Sequence, residues 1–318
     1  MNYNLKRARF ISAALAIATL FNGEHFGLAF AQGKSPVTHE AIWLMKRVGA
    51  PIPSPDGKWV VFSVTDPSYD EREQVSDLWI MPIDRSAKPR RLTFSRGGEG
   101  GAAWSPDSRQ IAFSARREGD EASQIYVINV AEGGEAVRVT SLSTGARAPQ
   151  WRPDGRALLF TSTVYPGAAD DEANKKIAAE RRAQKYRARV YEGFPIRYWD
   201  RWLDDMQAHL FVQSLDPGAK AKDLLAGTQL VSARGFAGRP STSGEELDAV
   251  WAPDGESIVF VATTKKDTGA YATYGTDLYR IAAGGGEPKQ LTNGGGSYTR
   301  PRFSPDGRAI YASFTPDT

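Results

Sequence analysis

Trp251-Ala252-Pro253-Asp254-Gly255-Glu256-Ser257-Ile258-Val259-Phe260 is one version of a phrase that this sequence of 318 residues repeats five times. The other four are centred on Ser54-Pro55-Asp56-Gly57, Ser105-Pro106-Asp107-Ser108, Arg152-Pro153-Asp154-Gly155 and Ser304-Pro305-Asp306-Gly307. Two residues before each proline stands Pro53, Trp104, Trp151, Trp251 or Phe303. Five and seven residues after it stand Val60 and Phe62, Ile111 and Phe113, Leu158 and Phe160, Ile258 and Phe260, and finally Ile310 and Ala312. A spacing of two places each pair on one face of a strand. The residues before the pair read as a hairpin turn: proline presets φ, aspartate bonds its own backbone, and glycine accepts the left-handed conformation from which the next strand leaves with the right twist.

A second landmark follows each of the first four turns: Asp77-Leu78-Trp79-Ile80, Gln124-Ile125-Tyr126-Val127, His209-Leu210-Phe211-Val212 and Asp277-Leu278-Tyr279-Arg280. A short closing strand is then expected at Leu92-Thr93, Val139-Thr140, Leu224-Leu225 and Leu291-Thr292, at intervals of 14, 14, 14 and 13 residues. Four strands in a unit of about 50 residues, repeated along the chain, predict an all-β fold, a β-propeller of four-stranded blades. The count gives four complete blades and part of a fifth, hence an incomplete ring in which blades one and five do not meet. An immunoglobulin-like sandwich would also supply many short strands, but it would not place the same turn at the same point of every unit.

The third and fourth turns are separated by 100 residues, Pro153 to Pro253. From Phe160 to Leu210 there are 50 residues where blade one needs 16, and from Leu224 to Trp251 there are 27 where the other exits need 12. Blade three therefore carries two insertions, one between its second and third strands and one in its exit link. In an antiparallel blade those two connections emerge at the same end, opposite the Pro-Asp turns, and extra segments gathered on one face of a repeat scaffold mark a working face.

The larger insertion, helical and spanning about residues 165–208, opens with Asp170, Asp171 and Glu172 and continues with Lys175, Lys176, Arg181, Arg182, Lys185, Arg187 and Arg189. Ala179, Ala183, Tyr186 and Val190 draw a narrow apolar stripe through it, and acid at the front with base at the back suits a helix dipole. Such a helix either caps the blade as a solvated element or offers a basic binding patch. After it comes Arg197-Tyr198-Trp199-Asp200-Arg201-Trp202, a cluster that no turn or strand rule demands. Arg197, Tyr198, Trp199, Asp200 and Trp202 are the candidates for a substrate path; the bland alternative is that both tryptophans only anchor the insertion.

Composition sets the remaining bounds. Lys6, Arg7 and Arg9, the apolar run Phe10 to Phe21, and Ala29-Phe30-Ala31 read as a secretory signal over residues 1–31, so the chain is expected to be exported, periplasmic or secreted. A lead-in segment over 32–49 and the propeller over 50–318 follow. Left uncleaved, the leading segment would be the chain's one membrane contact. Its removal takes away Lys6, Arg7, Arg9 and Glu24 and lowers the formal charge from +3 to +1, which argues against nucleic acid as a partner. With no cysteine there is no disulfide, no thiolate nucleophile and no cysteine-ligated zinc; no metal and no cofactor are expected. No serine has the G-x-S-x-G surroundings of a nucleophile elbow, the nearest being Gly295-Gly296-Ser297-Tyr298-Thr299. Of the three histidines, His25 lies in the leading segment, His39 in the lead-in, and His209 at a strand start held by Asp77 and Asp277 elsewhere, a structural position. The repeated aspartates are turn residues by position and not the acid pair of a glycosidase.

The repeats, with Arg197-x-Trp199-Asp200-x-x-Trp202 before His209-Leu210-Phe211 and the lead-in Thr38-His39-Glu40-Ala41 to Arg47-Val48-Gly49, resemble the amino-terminal half of prolyl oligopeptidase family serine peptidases. The likeness is to the acylaminoacyl-peptidase and dipeptidyl-peptidase 5 branch and covers residues 38 to 318. It implies a two-part enzyme, in which the propeller restricts access of short peptides to an α/β-hydrolase domain with a Ser-Asp-His triad. That domain is absent from this sequence, and no catalytic residue is carried over to it. The alternative is a non-enzymatic interaction propeller of the periplasmic TolB type, whose Pro-Asp-Gly repeats are similar.

Overall fold

The computed structural model describes residues 36–317 except 71, 72, 187, 189, 192, 193, 199, 242 and 243. The segment read as a secretory signal therefore lies outside the described residues. Two compact units are present, Met1–Ile42 and Trp43–Thr318. The described end of the first holds the start of a one-turn helix, His39–Trp43, with Thr38 Oγ1 accepting from the Ala41 amide.

Within the second unit the chain forms a β-propeller, built from antiparallel sheets that follow one another in sequence. Trp59–Asp66, Val75–Pro82 and Arg90–Arg91 make the first sheet, and Arg47–Val48 and Ile52–Pro53 both pair with its Trp59–Asp66 strand. That sheet thus begins inside the segment read as lead-in. The second sheet is Glu99–Trp104, Gln110–Ala115, Gln124–Asn129 and Val137–Arg138. The third is Arg147–Trp151, Ala157–Val164, Gln207–Ser214 and Lys222–Asp223, and the fourth Val250–Trp251, Ser257–Ala262, Asp277–Ala282 and Lys289–Gln290. The hairpin Gly296–Phe303 and Ile310–Pro316 follows. Among the described residues it shares no ladder with the first sheet. The closing strands sit two residues earlier than the Leu-Thr landmarks, but Leu92, Val139, Leu224 and Leu291 still donate to the carbonyls of Leu78, Ile125, Leu210 and Leu278 at 2.7–2.8 Å.

Each turn is built as its residues require. Asp Oδ1 accepts the amide two residues on, from Lys58, Arg109, Arg156, Glu256 and Arg308, at 2.9–3.1 Å. Gly57, Gly155, Gly255 and Gly307 have φ of 70–73°, and Ser108 takes the same conformation at 62°. On Gly155 and Gly307 a Cβ would find only ordinary contact with the proline ring of the previous turn, Pro106 or Pro253, at 3.6–3.8 Å, so the left-handed backbone rather than space calls for glycine there. In three of the turns a serine hydroxyl donates to the aspartate, and donation from Ser54, Ser105 and Ser304 holds Asp56, Asp107 and Asp306 below the usual carboxylate range.

The core lies between consecutive sheets. Val61, Leu78 and Ile80 of the first pack on Trp104, Ile111 and Phe113 of the second. Ala112 and Ile125 pack in turn on Trp151, Leu158, Phe160 and Phe211 of the third. Leu159 and Leu210 pack on Trp251, Ile258 and Phe260 of the fourth, and Val259 and Val261 on Phe303 and Ile310 of the hairpin. A strand buried on both faces, such as Ser257–Ala262, therefore reads as a continuous apolar run.

The tryptophans before the second and third turns tie sheet to sheet. The indole N–H of Trp104 donates to the Ile52 carbonyl and that of Trp151 to the Ala103 carbonyl, both at 3.0 Å. Trp251, after the exit insertion, has a buried indole nitrogen with no acceptor. A buried donor left unpaired costs about 1–3 kcal/mol, whereas a made hydrogen bond contributes about 0.5–1.5 kcal/mol. Trp151→Phe is thus expected to lower stability by about 1 kcal/mol more than Trp251→Phe, read from paired urea titrations. Equal losses would contradict the assignment.

Candidate functional site

Both insertions of blade three emerge beside each other. The first contributes helix Asp171–Ala183, capped by Asp170 Oδ1, which accepts the Ala173 amide at 2.8 Å. The apolar stripe expected to define this helix does not do so. The helix stops at Ala183, Tyr186 and Val190 lie beyond it and are exposed, and its one buried residue is Asn174. Polar contacts anchor it instead: Asn174 Oδ1 accepts the Tyr165 amide at 2.8 Å, and Asp171 Oδ1 accepts the Ser143 amide and hydroxyl at 2.8 and 2.6 Å. Burial alone would raise the Asp171 carboxyl, but donation from Ser143 and Lys175 holds it below its usual range. At the helix end Arg181 forms a two-toothed pair with Asp205 at 2.6 Å and lies over the Tyr165 ring, 4.4 Å from its centroid. That guanidinium keeps the Asp205 carboxyl low.

The exit insertion supplies helix Gln229–Ser232, capped by Thr228, and the hairpin Arg239–Ser241 with Gly244–Glu246. Gln207 Nε2 donates to the Val231 carbonyl at 3.2 Å, so the exit insertion touches the strand into which the first insertion leads. Between the two insertions opens a cavity of about 1560 Å³. The first insertion gives it Arg181, Tyr191 and Phe194, the second Val231 and Phe236, and blade four reaches it with Lys266. Its wall mixes cations with apolar and aromatic faces, and its volume exceeds the usual drug-sized pocket of about 300–1,000 Å³.

His209 lines the same cavity. It stands at the strand-start position where the other blades have Asp77, Gln124 and Asp277, and all four side chains are buried. In blade four Thr292 Oγ1 donates to Asp277 Oδ1 at 2.9 Å and accepts the Leu278 amide at 3.0 Å. Blade two repeats this clamp with Thr140, Gln124 and Ile125 at 2.8 Å. In blade one Thr93 accepts the Leu78 amide but donates to Glu99 Oε2 at 2.8 Å, while Asp77 pairs with Arg91 at 2.6 Å. Blade three has Leu225 where the threonine stands, and it replaces the clamp by an imidazole–carboxylate pair, His209 Nδ1 to Asp223 Oδ2 at 2.7 Å. Sequence reasoning placed His209 correctly as a repeat position and missed Asp223. The signal was the missing threonine.

Burial pushes the Glu99 carboxyl up from its ordinary value, with the Asp77 charge adding to the effect. A carboxyl raised by folding binds its proton more tightly in the native state, so stability is gained as pH falls through the folded value toward the unfolded one. Relative to Glu99→Gln, wild type should therefore gain stability between neutral pH and about pH 4.5. A wild-type-minus-variant difference that stays constant in urea titrations across this range would contradict it.

Of the proposed substrate-path residues, Arg197, Tyr198 and Trp202 lie on the strands Arg197–Tyr198 and Arg201–Trp202, which pair as a small hairpin. Arg197 Cζ lies 6.0 Å from the centre of the Trp202 ring, and Tyr191, a wall residue, lies 6.3 Å from the same ring. Trp202 is 56% exposed and Asp200 is exposed in the turn. Trp199 lies outside the described residues, as does the side chain of Tyr198. Among the described residues, Arg197, Asp200 and Trp202 do not line the cavity; Leu203, Asp204 and Asp205, next in sequence, do.

Residues 39–181 match the family model of the TolB beta propeller domain. Dipeptidyl-peptidase 5 of Porphyromonas gingivalis is 29% identical over 278 residues, 86% of this chain and 38% of that protein. The chain resembles the propeller region of prolyl oligopeptidase family peptidases. The Porphyromonas endodontalis dipeptidyl-peptidase 5 gives the same 29% over 278 residues. Among solved structures, acylaminoacyl peptidase of Pyrococcus horikoshii superposes with a TM-score of 0.54 at 15% identity, over 88% of this chain and 37% of that one. That last likeness concerns the fold. The chain spans 38% of the length of the curated prolyl oligopeptidase family relatives it matches.

Proposed function

We propose that this chain is the substrate-admitting propeller of an exported serine peptidase that cleaves short peptides, with hydrolysis performed by an α/β-hydrolase domain of the kind its relatives' family carries. The observation that carries this reading is the 29% identity to dipeptidyl-peptidase 5 over 86% of the chain, which runs through both insertions as well as the repeats. A cavity walled by those insertions gives the reading a physical form: mixed cationic and aromatic surfaces suit peptides, whose backbones are polar and whose side chains are often apolar. Arg197, Tyr198, Trp199, Asp200 and Trp202, on the segment that leads into the wall residues Leu203 to Asp205, would guide the substrate past its rim. The match of residues 39–181 to the TolB propeller model favours the second reading, a non-enzymatic interaction module of the periplasm. The two separate on the product of the whole gene. Release of dipeptides or acylated residues from short substrates, lost on changing the serine of a G-x-S-x-G elbow, is the expected result; a product without such an elbow and without turnover selects the interaction module.

A further inference from the structure

Blade three differs from its neighbours at one buried position, and the residue there belongs to the cavity wall. In blades two and four the strand-start side chain is satisfied by a threonine of its own blade. His209 is 3% exposed, uses only Nδ1, and its Nε2 has no hydrogen-bond partner. Asp223 accepts the Leu225 and Ala226 amides on Oδ1 at 2.8 and 3.1 Å, and its Oδ2 lies 2.7 Å from His209 Nδ1, the geometry in which Nδ1–H donates to the carboxylate. A neutral ring in this tautomer carries an acceptor lone pair on Nε2. Asp223, on the Nδ1 side, does not line the large cavity, whereas His209 does. Phe236, edge-on to the imidazole at 6.3 Å, is also a wall residue, and Phe194 and Tyr191 supply further aromatic surface.

We propose that the cavity is a peptide-docking site in which His209 Nε2, oriented by Asp223, accepts a hydrogen bond from a backbone N–H of the bound peptide while Tyr191, Phe194 and Phe236 receive an apolar side chain. This rests on the reading of the chain as a peptide-admitting propeller and assigns it a recognition atom. A buried acceptor without a partner is costly, so a ligand that supplies a donor gains more here than at a solvated site. Asp223 acts through the imidazole and is a positioning residue, fixing both tautomer and ring plane. No covalent step is involved. The volume accommodates several peptide residues, and of the wall charges Arg181 pairs with Asp205 and Lys266 with Glu245, while the Asp204 carboxylate accepts the Met206 amide.

The test titrates the intact chain with the amide of Gly-Phe-Ala-Phe and follows the imidazole nitrogens by long-range 1H–15N correlation, with calorimetry in parallel. His209→Asn keeps a donor where Nδ1 stands and removes the Nε2 acceptor; His209→Gln restores an amide of longer reach. The expected outcome is a shift of the His209 Nε2 resonance on saturation, affinity lowered about fivefold in His209→Asn, and affinity within about twofold of wild type in His209→Gln. Binding heat with an unmoved Nε2 resonance, or unchanged affinity in a folded His209→Asn, overturns the assignment and leaves the peptide-admitting reading standing. If the asparagine variant does not fold, the resonance of the wild-type ring decides alone. Neither heat nor any shift at millimolar peptide overturns both.

Discussion

Phe160→Ala is expected to lower stability by about 3–5 kcal/mol, the cost of emptying a fully buried aromatic site. Phe160 has no exposed surface, pairs in register with Phe211 across strands Ala157–Val164 and Gln207–Ser214, and stacks on that ring at 5.8 Å. It also belongs to the cluster that joins the second sheet to the third, so the cavity left by alanine opens at a sheet-to-sheet boundary. Rigid strands on both sides restrict collapse of the void, which places the loss toward the upper part of the range. Urea unfolding should show a lower midpoint at unchanged slope. Tyr311→Ala, on the largely exposed last strand, serves as the control and should change stability by less than about 0.5 kcal/mol. A loss below about 1 kcal/mol for Phe160→Ala would mean that the boundary between sheets is not where the core lies.

Gly275→Ala is expected to cost about 1–3 kcal/mol by the opposite route, overpacking. A Cβ on Gly275 would stand 2.2 Å from the Gly296 carbonyl oxygen, and backbone cannot step aside as a side-chain tip can. The contact lies where the fourth sheet meets the final hairpin, next to the Thr276 hydroxyl that donates to the Tyr298 carbonyl and the Tyr298 amide that donates to Thr276. Added bulk should therefore loosen Gly296–Phe303 first. Amide exchange of Tyr298 should accelerate more than that of Phe260, which sits inside the fourth sheet. Unchanged exchange at Tyr298 in a folded variant would contradict the close approach.

The turns and the paired apolar positions after them could be read from sequence because every interaction that makes them lies within a few residues. Asp107 and the Arg109 amide, or Ser105 and Asp107, need no distant partner. The two insertions were legible by counting, since fixed intervals elsewhere make any excess visible. What escaped was long in range or depended on how a segment is anchored. An apolar stripe reaching Val190 predicts the helix, yet Asn174, Asp171 and Arg181 hold it by polar contacts to Tyr165, Ser143 and Asp205, and chain direction changes at Gln184, where ψ is 133°. Periodicity reports apolar anchoring and is silent on polar anchoring. The clamp at Asp277, Thr292 and Leu278 spans 15 residues and was written in the sequence as a threonine recurring at 93, 140 and 292. Its absence at Leu225 was the mark of the His209–Asp223 pair. Trp251 looks identical to Trp151 in sequence, and nothing in its local phrase tells that its indole nitrogen lacks the acceptor that Ala103 gives Trp151.

Hydrogen–deuterium exchange of the intact chain with and without saturating Gly-Phe-Ala-Phe amide tests the central claim, that the face bearing the blade-three insertions is the one that receives peptide. Protection is predicted at residues 166–184, 203–209 and 226–236, which wall the cavity, with no change at the Pro-Asp turns of the opposite end. Protection confined to those turns or to Ile310–Pro316, or no protection at all, would contradict it.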